Sequence, residues 1–317
     1  MIFIPILLGI AALVLLAAFI TYRLTFYNKH KDDFDPYHSI NKTPAPPFAE
    51  VSRDLISTLE KREFEPVSIN SRSGGILHGK YYHVRDGAPL DIMFHGYKSG
   101  AIHDFAGGAK ESLSLGHNLL LVDQRGHGMS HGRTITFGVK ERFDALDWSE
   151  YAVSRFGGGI SITLVGISMG AATVICASEL PLPAEVRGII ADCPCSSGEL
   201  IIKKIASEMG FPPKLVFPFI RLGGIVFGGF DVCERTPLDA AEHARVPMLL
   251  IHGDGDSFVP CQMSRDIAER YSAELTFEVF PEAGHGTSYL YDTERYRKAL
   301  SDFYSKILKE DSSNERK

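Results

Sequence analysis

Six short apolar runs, with amphipathic stretches between them, restrict this sequence to one kind of architecture. They are "PLDIMFHG" (89–96), "NLLLVDQRG" (118–126), "SITLVG" (161–166), "RGIIADCP" (187–194), "VPMLLIHGDGD" (246–256) and "LTFEVFPEAGH" (275–285). Each is continuous rather than alternating, as strands buried on both faces are, and each runs out through Gly, Asp or His. Between them, "VKERFDALDWSEYAVSRF" (139–156) and "TERYRKALSDFYSKILK" (293–309) carry apolar stripes at helical spacing. Strand–helix alternation of this sort gives an α/β fold, a mostly parallel central sheet with helices on both faces. With 317 residues, 44% of them hydrophobic, the chain can bury a substantial core. No internal repeat is visible.

The first segment stands apart from that core. No charged side chain occurs from Met1 to Tyr22, and "IFIPILLGIAALVLLAAFI" is nearly all aliphatic. Roughly 20 such residues span a bilayer as a helix, so one transmembrane anchor is expected over 1–22. A cleaved signal peptide would carry a basic start and a shorter apolar core. Arg23, Lys29 and Lys31 follow the segment and no Lys or Arg precedes it, which places the body on the cytoplasmic side. Five cysteines without regular spacing fit free thiols in a reducing compartment. Residues 23–48, ending in "NKTPAPPF", read as an extended linker, 49–310 as the α/β domain and 311–317 as a frayed tail. Within the domain, residues 196–235 break the rhythm with Phe, Ile, Gly and Pro, and read as a small helical cap over the carboxyl edge of the sheet. Its Gly223-Gly224 and Gly228-Gly229 pairs are candidate hinges. The net charge of −6 is spread without a basic stripe, so nucleic acid is not an expected partner. No protein partner follows from the sequence.

Chemistry is concentrated in "LVGISMGAAT" (164–173). Gly166, Ser168 and Gly170 lie between a strand and a run of small helix-forming residues, the setting of a nucleophile elbow. A serine hydroxyl is a weak nucleophile and needs a base held by an acid. His285 closes the last run and Asp256 the one before it, so Ser168, Asp256 and His285 can converge on one sheet edge as nucleophile, orienting acid and general base. Asp254 and Asp192 compete for the acid's place. The backbone amides of Met169 and Tyr97 are the expected oxyanion donors. His95 and Gly96 shape the turn before Tyr97. His117, His127 and His131 lack metal-site spacing and read as loop structure, and no metal or cofactor is called for. Asp123 and Arg125 read as an ion pair bracing the loop, and Cys193 and Cys195 as packed thiols.

The motifs "FHGY", "DQRGHGMS", "GISMGAA", "HGDGDSFVP" and "AGHG" together resemble the α/β-hydrolase superfamily over residues 65–308. Their combination is similar to membrane-anchored BEM46-like and S33-peptidase-like hydrolases. That resemblance implies ester, thioester or amide hydrolysis through an acyl-enzyme, without metal or cofactor. Dehalogenases and epoxide hydrolases of this fold carry aspartate where Ser168 stands. The favoured reading is a serine hydrolase for carboxylic esters with a hydrophobic, lipid-like acyl group, its pocket lined by Phe217, Phe219 and Phe227. A peptidase is the alternative, with Glu199, Glu208 or Asp231 holding a substrate amine. A membrane-tethered binding protein without turnover is another.

Overall fold

The computed structural model describes residues 3–32, 34–41 and 47–314, with side chains described to residue 308. Two helices open the chain, α1 (Phe3–Thr25) and α2 (Ala49–Glu60), followed by strands β1 (Glu65–Asn70), β2 (Ile76–Tyr82) and β3 (Leu90–Phe94). Then come α3 (Ala101–Ser114), β4 (Asn118–Asp123), α4 (Glu141–Phe156), β5 (Ile162–Ile167), α5 (Met169–Ala177) and β6 (Val186–Asp192). The cap comprises α6 (Gly198–Glu208), α7 (Pro213–Gly223) and a π-helical turn (Gly224–Gly228). The chain closes with α8 (Pro237–Ala241), β7 (Met248–Gly253), α9 (Gln262–Arg270), β8 (Leu275–Phe280), α10 (Ser288–Tyr291) and α11 (Thr293–Asn314).

The eight strands form one sheet in the order β1-β2-β4-β3-β5-β6-β7-β8. The six apolar runs are β3 to β8, all paired in parallel, while β1 and β2 add an antiparallel edge. Alternate side chains of a doubly buried strand serve opposite cores. In β4, Leu120 and Val122 join Trp148 of α4 and the helices on one face. Leu119 and Leu121 pack against α2, α3 and α11 on the other. The winding reverses between the neighbouring strands β3 and β5, and in open α/β sheets the crevice at such a reversal, at the carboxyl ends of the strands, is where ligands bind. The loops after β3, β5, β7 and β8 gather at that edge.

The chain after α1 differs from a free spacer. Helix α1 runs to Thr25, Phe26 is fully buried, Tyr27 bridges Thr134, and Ile40 is buried in the α2–α3 core. Apolar side chains in a nominal linker found surface to bury, and the segment docked. Residues 42–46 of the proline-rich stretch lie outside the described residues.

The loop after β4 is braced by a different pair from the expected one. Arg125 forms its buried ion pair with Asp144 of α4. Asp123 instead accepts the Met129 N–H at 3.0 Å. The cap glycines likewise serve close packing, because a Cβ on Gly223 would meet Ala18 O at 2.3 Å and one on Gly228 the Phe230 ring at 2.8 Å.

The start of α5 is the most crowded main-chain junction near the site. A Cβ on Gly166 would lie 2.2 Å from Gly170 O, and one on Gly170 would lie 1.7 Å from Phe94 O. Strand β3, strand β5 and α5 touch backbone to backbone there. Gly170→Ala is therefore expected to lower stability by about 3 kcal/mol or more, since main chain rather than a pliable side chain would have to yield. Urea unfolding of the full chain in detergent, followed by circular dichroism, measures this; a loss below about 1 kcal/mol would mean the junction relaxes.

Candidate active site

Ser168 sits at the turn from β5 into α5 with φ 55° and ψ −115°. A non-glycine residue at positive φ is strained, and here the surroundings impose it. The Ser168 N–H donates to Asp192 O at 2.8 Å, and the hydroxyl projects from the sheet edge. Ser168 Oγ lies 2.9 Å from His285 Nε2, and His285 Nδ1 lies 2.7 Å from Asp256 Oδ2. With the proton on Nδ1, the imidazole donates to Asp256 and accepts from Ser168. His285 comes from the loop after β8 and Asp256 from the loop after β7, so three strand ends supply the three groups.

Asp256 is 5% exposed and well supplied with donors. Its Oδ1 accepts the amides of Phe258 at 2.9 Å and Val259 at 2.8 Å, and His252 Nε2 stands 3.3 Å from Oδ2. Burial alone would raise the carboxyl pKa, but His252, His285 and the Val259 amide outweigh it and hold Asp256 well below the usual carboxylate range. The two competing acids are otherwise engaged. Asp254 accepts the Glu282 N–H at 2.6 Å, tying the loops after β7 and β8 together. Asp192 accepts from the Tyr296 hydroxyl at 3.2 Å, and its other oxygen has no hydrogen-bond partner among the described residues. Burial pushes the Asp192 carboxyl up to about 6 against the opposing pull of His252. The Cys193 thiol, raised by burial, lies within 4.8 Å of the Asp256 carboxylate and a His285 nitrogen and backs the pair.

The Tyr97 and Met169 amides donate to no other described atom. A Cβ on Gly96 would stand 3.4 Å from Ser168 Cβ, so the loop after β3 lies against that serine. A buried polar scaffold fixes that loop. Asp104 of α3 accepts the Gly96 N–H at 2.6 Å and the Ser99 hydroxyl at 2.6 Å. His127 Nε2 accepts the Lys98 N–H at 3.0 Å, and burial keeps this imidazole neutral by lowering its pKa. His95 Nε2 accepts the Gln124 N–H at 3.2 Å, while the Gln124 side chain reaches back to His95 O. Sequence reasoning did not single out Asp104; its only signal was an acid in the first turn of the helix after β3. The same loop grips α1, since the Tyr97 hydroxyl donates to Thr25 O at 2.6 Å and Lys98 Nζ to Leu24 O at 3.2 Å. These are carbonyls that the end of a helix leaves without partners.

A cavity of about 520 Å³ opens beside Ser168 and His285, walled by Tyr97, Ile167, Phe258, Tyr289 and Leu290 and running inward to Met93. Phe217, Phe219 and Phe227 are not among its lining residues. Phe227 turns to α1, with ring centroids 5.2 Å from Phe19, and Phe217 is buried in the cap's own core under Lys203. A helix that covers the cap from outside took the place expected for substrate. The three cap acids are each neutralised by a neighbour: Glu199 by Lys203, Glu208 by Lys204, Asp231 by Arg221. None of them lines the cavity.

The model for the "Alpha/beta hydrolase family" matches residues 92–299, which run from the loop after β3 past Ser168 and Asp256 to His285. The chain belongs to that family. This hydrolase is 25% identical over 251 residues to the uncharacterized protein YqkD of Bacillus subtilis, covering 79% of this chain and 82% of YqkD. Its fold is similar to the Pyrococcus furiosus esterase Pf2001 (TM-score 0.63, 22% identity, 81% of this chain and 93% of that one). It is also similar to Est1E of Butyrivibrio proteoclasticus (TM-score 0.59, 20% identity, 76% and 99%). Mouse alpha/beta hydrolase domain-containing protein 10 gives a TM-score of 0.55 at 21% identity, over 77% of this hydrolase and 99% of the mouse chain.

Asp192 also makes stability depend on pH. Its folded pKa of about 6 exceeds an unfolded value near 3.9, so the folded state binds more protons between them and stability falls as pH rises from about 4 to about 6. Asp192→Asn removes that loss. Measured by urea unfolding, the stability of the variant relative to wild type is expected to rise by about 2–3 kcal/mol across the window. A flat difference would mean the carboxylate is stabilised in place.

Proposed function

We propose that this protein is a membrane-anchored serine hydrolase that cleaves carboxylic esters with a hydrophobic acyl group. The observation that carries the reading is the Ser168–His285–Asp256 relay at the mouth of an apolar cavity. Ser168 Oγ attacks the ester carbonyl as its proton passes to His285 Nε2, and Asp256 stabilises the imidazolium. Negative charge develops on the carbonyl oxygen between the Tyr97 and Met169 amides, where one such donor is worth about 10²–10³ in rate. The tetrahedral intermediate collapses, the alcohol leaves with the proton from His285, and water then repeats the cycle on the acyl-enzyme.

The esterases among the structural relatives support an ester over other acyl substrates. The paired state of Glu199, Glu208 and Asp231 counts against a peptidase that would hold an amine there. Helix α1 is 23 residues long, with an 18-residue stretch of mean hydropathy 2.9, long and apolar enough to cross a bilayer. Arg23, Lys29 and Lys31 just after it favour a cytoplasmic body.

Two experiments on the full-length chain in detergent test the reading. A fluorophosphonate probe is expected to label wild type and not Ser168→Ala, with turnover of p-nitrophenyl esters peaking at one acyl length. A folded wild type that takes no label would move the protein to the class of tethered binders. Asp256→Asn is expected to keep the fold and lower kcat by about 10⁴, because the imidazole loses its oriented tautomer. A loss under about tenfold would assign the acid's role elsewhere.

A further inference from the structure

The length of α1 and the position of the cap conflict if the whole body stands in water. From Phe3 to Leu13 every residue of α1 is exposed. From there on, Val14, Ala17, Ala18, Thr21, Tyr22 and Thr25 lose exposure along one stripe, where α7 and the π turn pack alongside. The free stretch is about 16 Å of helix, against about 30 Å of bilayer hydrocarbon. Counting on to Tyr22, the last residue before Arg23, brings the helix to about 30 Å. Arg23 then lies over the Tyr27 ring, 3.6 Å from its centroid, a cationic–aromatic pair suited to the headgroup level. About half of the spanning length is therefore flanked by the cap.

We infer that the exposed face of α7 and the π turn is a second bilayer-contacting surface, sunk into lipid beside α1. The inference rests on the reading of α1 as a membrane anchor. The face is composed for that place: Leu215 is 69% exposed, Val226 49%, Ile225 46% and Phe227 39%. Exposed apolar area of this kind marks an interaction site. Phe227 packs at the level of Phe19, three residues on the membrane side of Tyr22, or about 5 Å below that level. That depth matches a helix lying in the interface, which buries its apolar side about 5–10 Å. Lys214 on the same helix is exposed for anionic headgroups, and Arg221 is paired with Asp231 at 2.7 Å. The joint between the two elements also resembles packing inside bilayers, where small residues bring backbones together. Gly223 lies so close to α1 that a Cβ there would reach Ala18 O at 2.3 Å.

Tryptophan quenching in lipid vesicles tests the surface with the full chain. The native Trp148 is 1% exposed and contributes a constant background. Four variants are reconstituted into phosphatidylcholine vesicles with brominated acyl chains: Leu8→Trp in α1, Ile225→Trp and Val226→Trp in the π turn, and Ala184→Trp in the exposed loop before β6. Circular dichroism melting confirms that each is folded. Leu8→Trp and at least one π-turn variant are expected to lose about half of their added emission to bromine, as side chains at interfacial depth do, and Ala184→Trp none. Quenching of Leu8→Trp alone overturns the inference, whether the π-turn tryptophans answer to aqueous acrylamide or are shielded from both quenchers by a protein partner. An unquenched Leu8→Trp instead overturns the anchor itself, and the cap surface falls with it.

Discussion

Where β3, β5 and the start of α5 meet, main chain touches main chain, and the geometry of the site descends from that contact. With Gly170 pressed on Phe94 O and Gly166 on Gly170 O, no side chain fits between the elements. Ser168 is left on the outside of the turn in a strained conformation, the first amide of α5 donates to no atom among the described residues, and the loop after β3 is brought against the serine. The position of Ser168 and the presentation of the Met169 and Tyr97 amides thus come from a single packing constraint. Packing over the whole sheet maintains the strain, as energetically unfavourable backbone angles require.

Around this junction the polar groups form a graded series. Asp256 takes charge-assisted and backbone hydrogen bonds and stays ionised. Asp192, one strand away and equally buried, has one phenolic donor and titrates well above it. The two carboxyls show how donors, rather than burial, decide which acid can stabilise an imidazolium. His95, Gln124 and His127 do the quieter work of presenting the Tyr97 amide, through contacts to backbone and to one another, with Gln124 held in turn by the Thr173 hydroxyl of α5.

The six core strands and the residues at their ends were legible because doubly buried strands leave continuous apolar runs, and because chemistry collects where those runs stop. Strands β1 and β2 were not, since an antiparallel edge mixes polar and apolar positions; "EPVSIN" buries only Val67. The partner of Arg125 was misread for a related reason. Asp123 is two residues away in sequence, but Asp144 arrives from a helix turn that reads as solvated charge until the fold carries it inside. The cap phenylalanines were misassigned because composition marks them as apolar without saying what covers them. The cover of Phe227, α1, lies some two hundred residues earlier in the chain, and Phe217 is covered within the cap by Lys203. Asp104 escaped notice because its value lies wholly in tertiary contact with the Gly96 amide.

Phe26 is the residue that settles what kind of attachment α1 is. It is fully buried, edge-on to Phe137 and Phe230 at 6.0 and 5.0 Å, in a cluster that also holds Met169 beside Ser168. Deleting a buried phenylalanine of this sort costs about 3–5 kcal/mol. A chain trimmed to its hydrolase domain would carry that void between the cap and the start of α5, with the Tyr97 hydroxyl stripped of its acceptor. The N-terminal helix is thus a keystone of the hydrolase domain, and a fragment cut after it would lose part of the core rather than only an appendage.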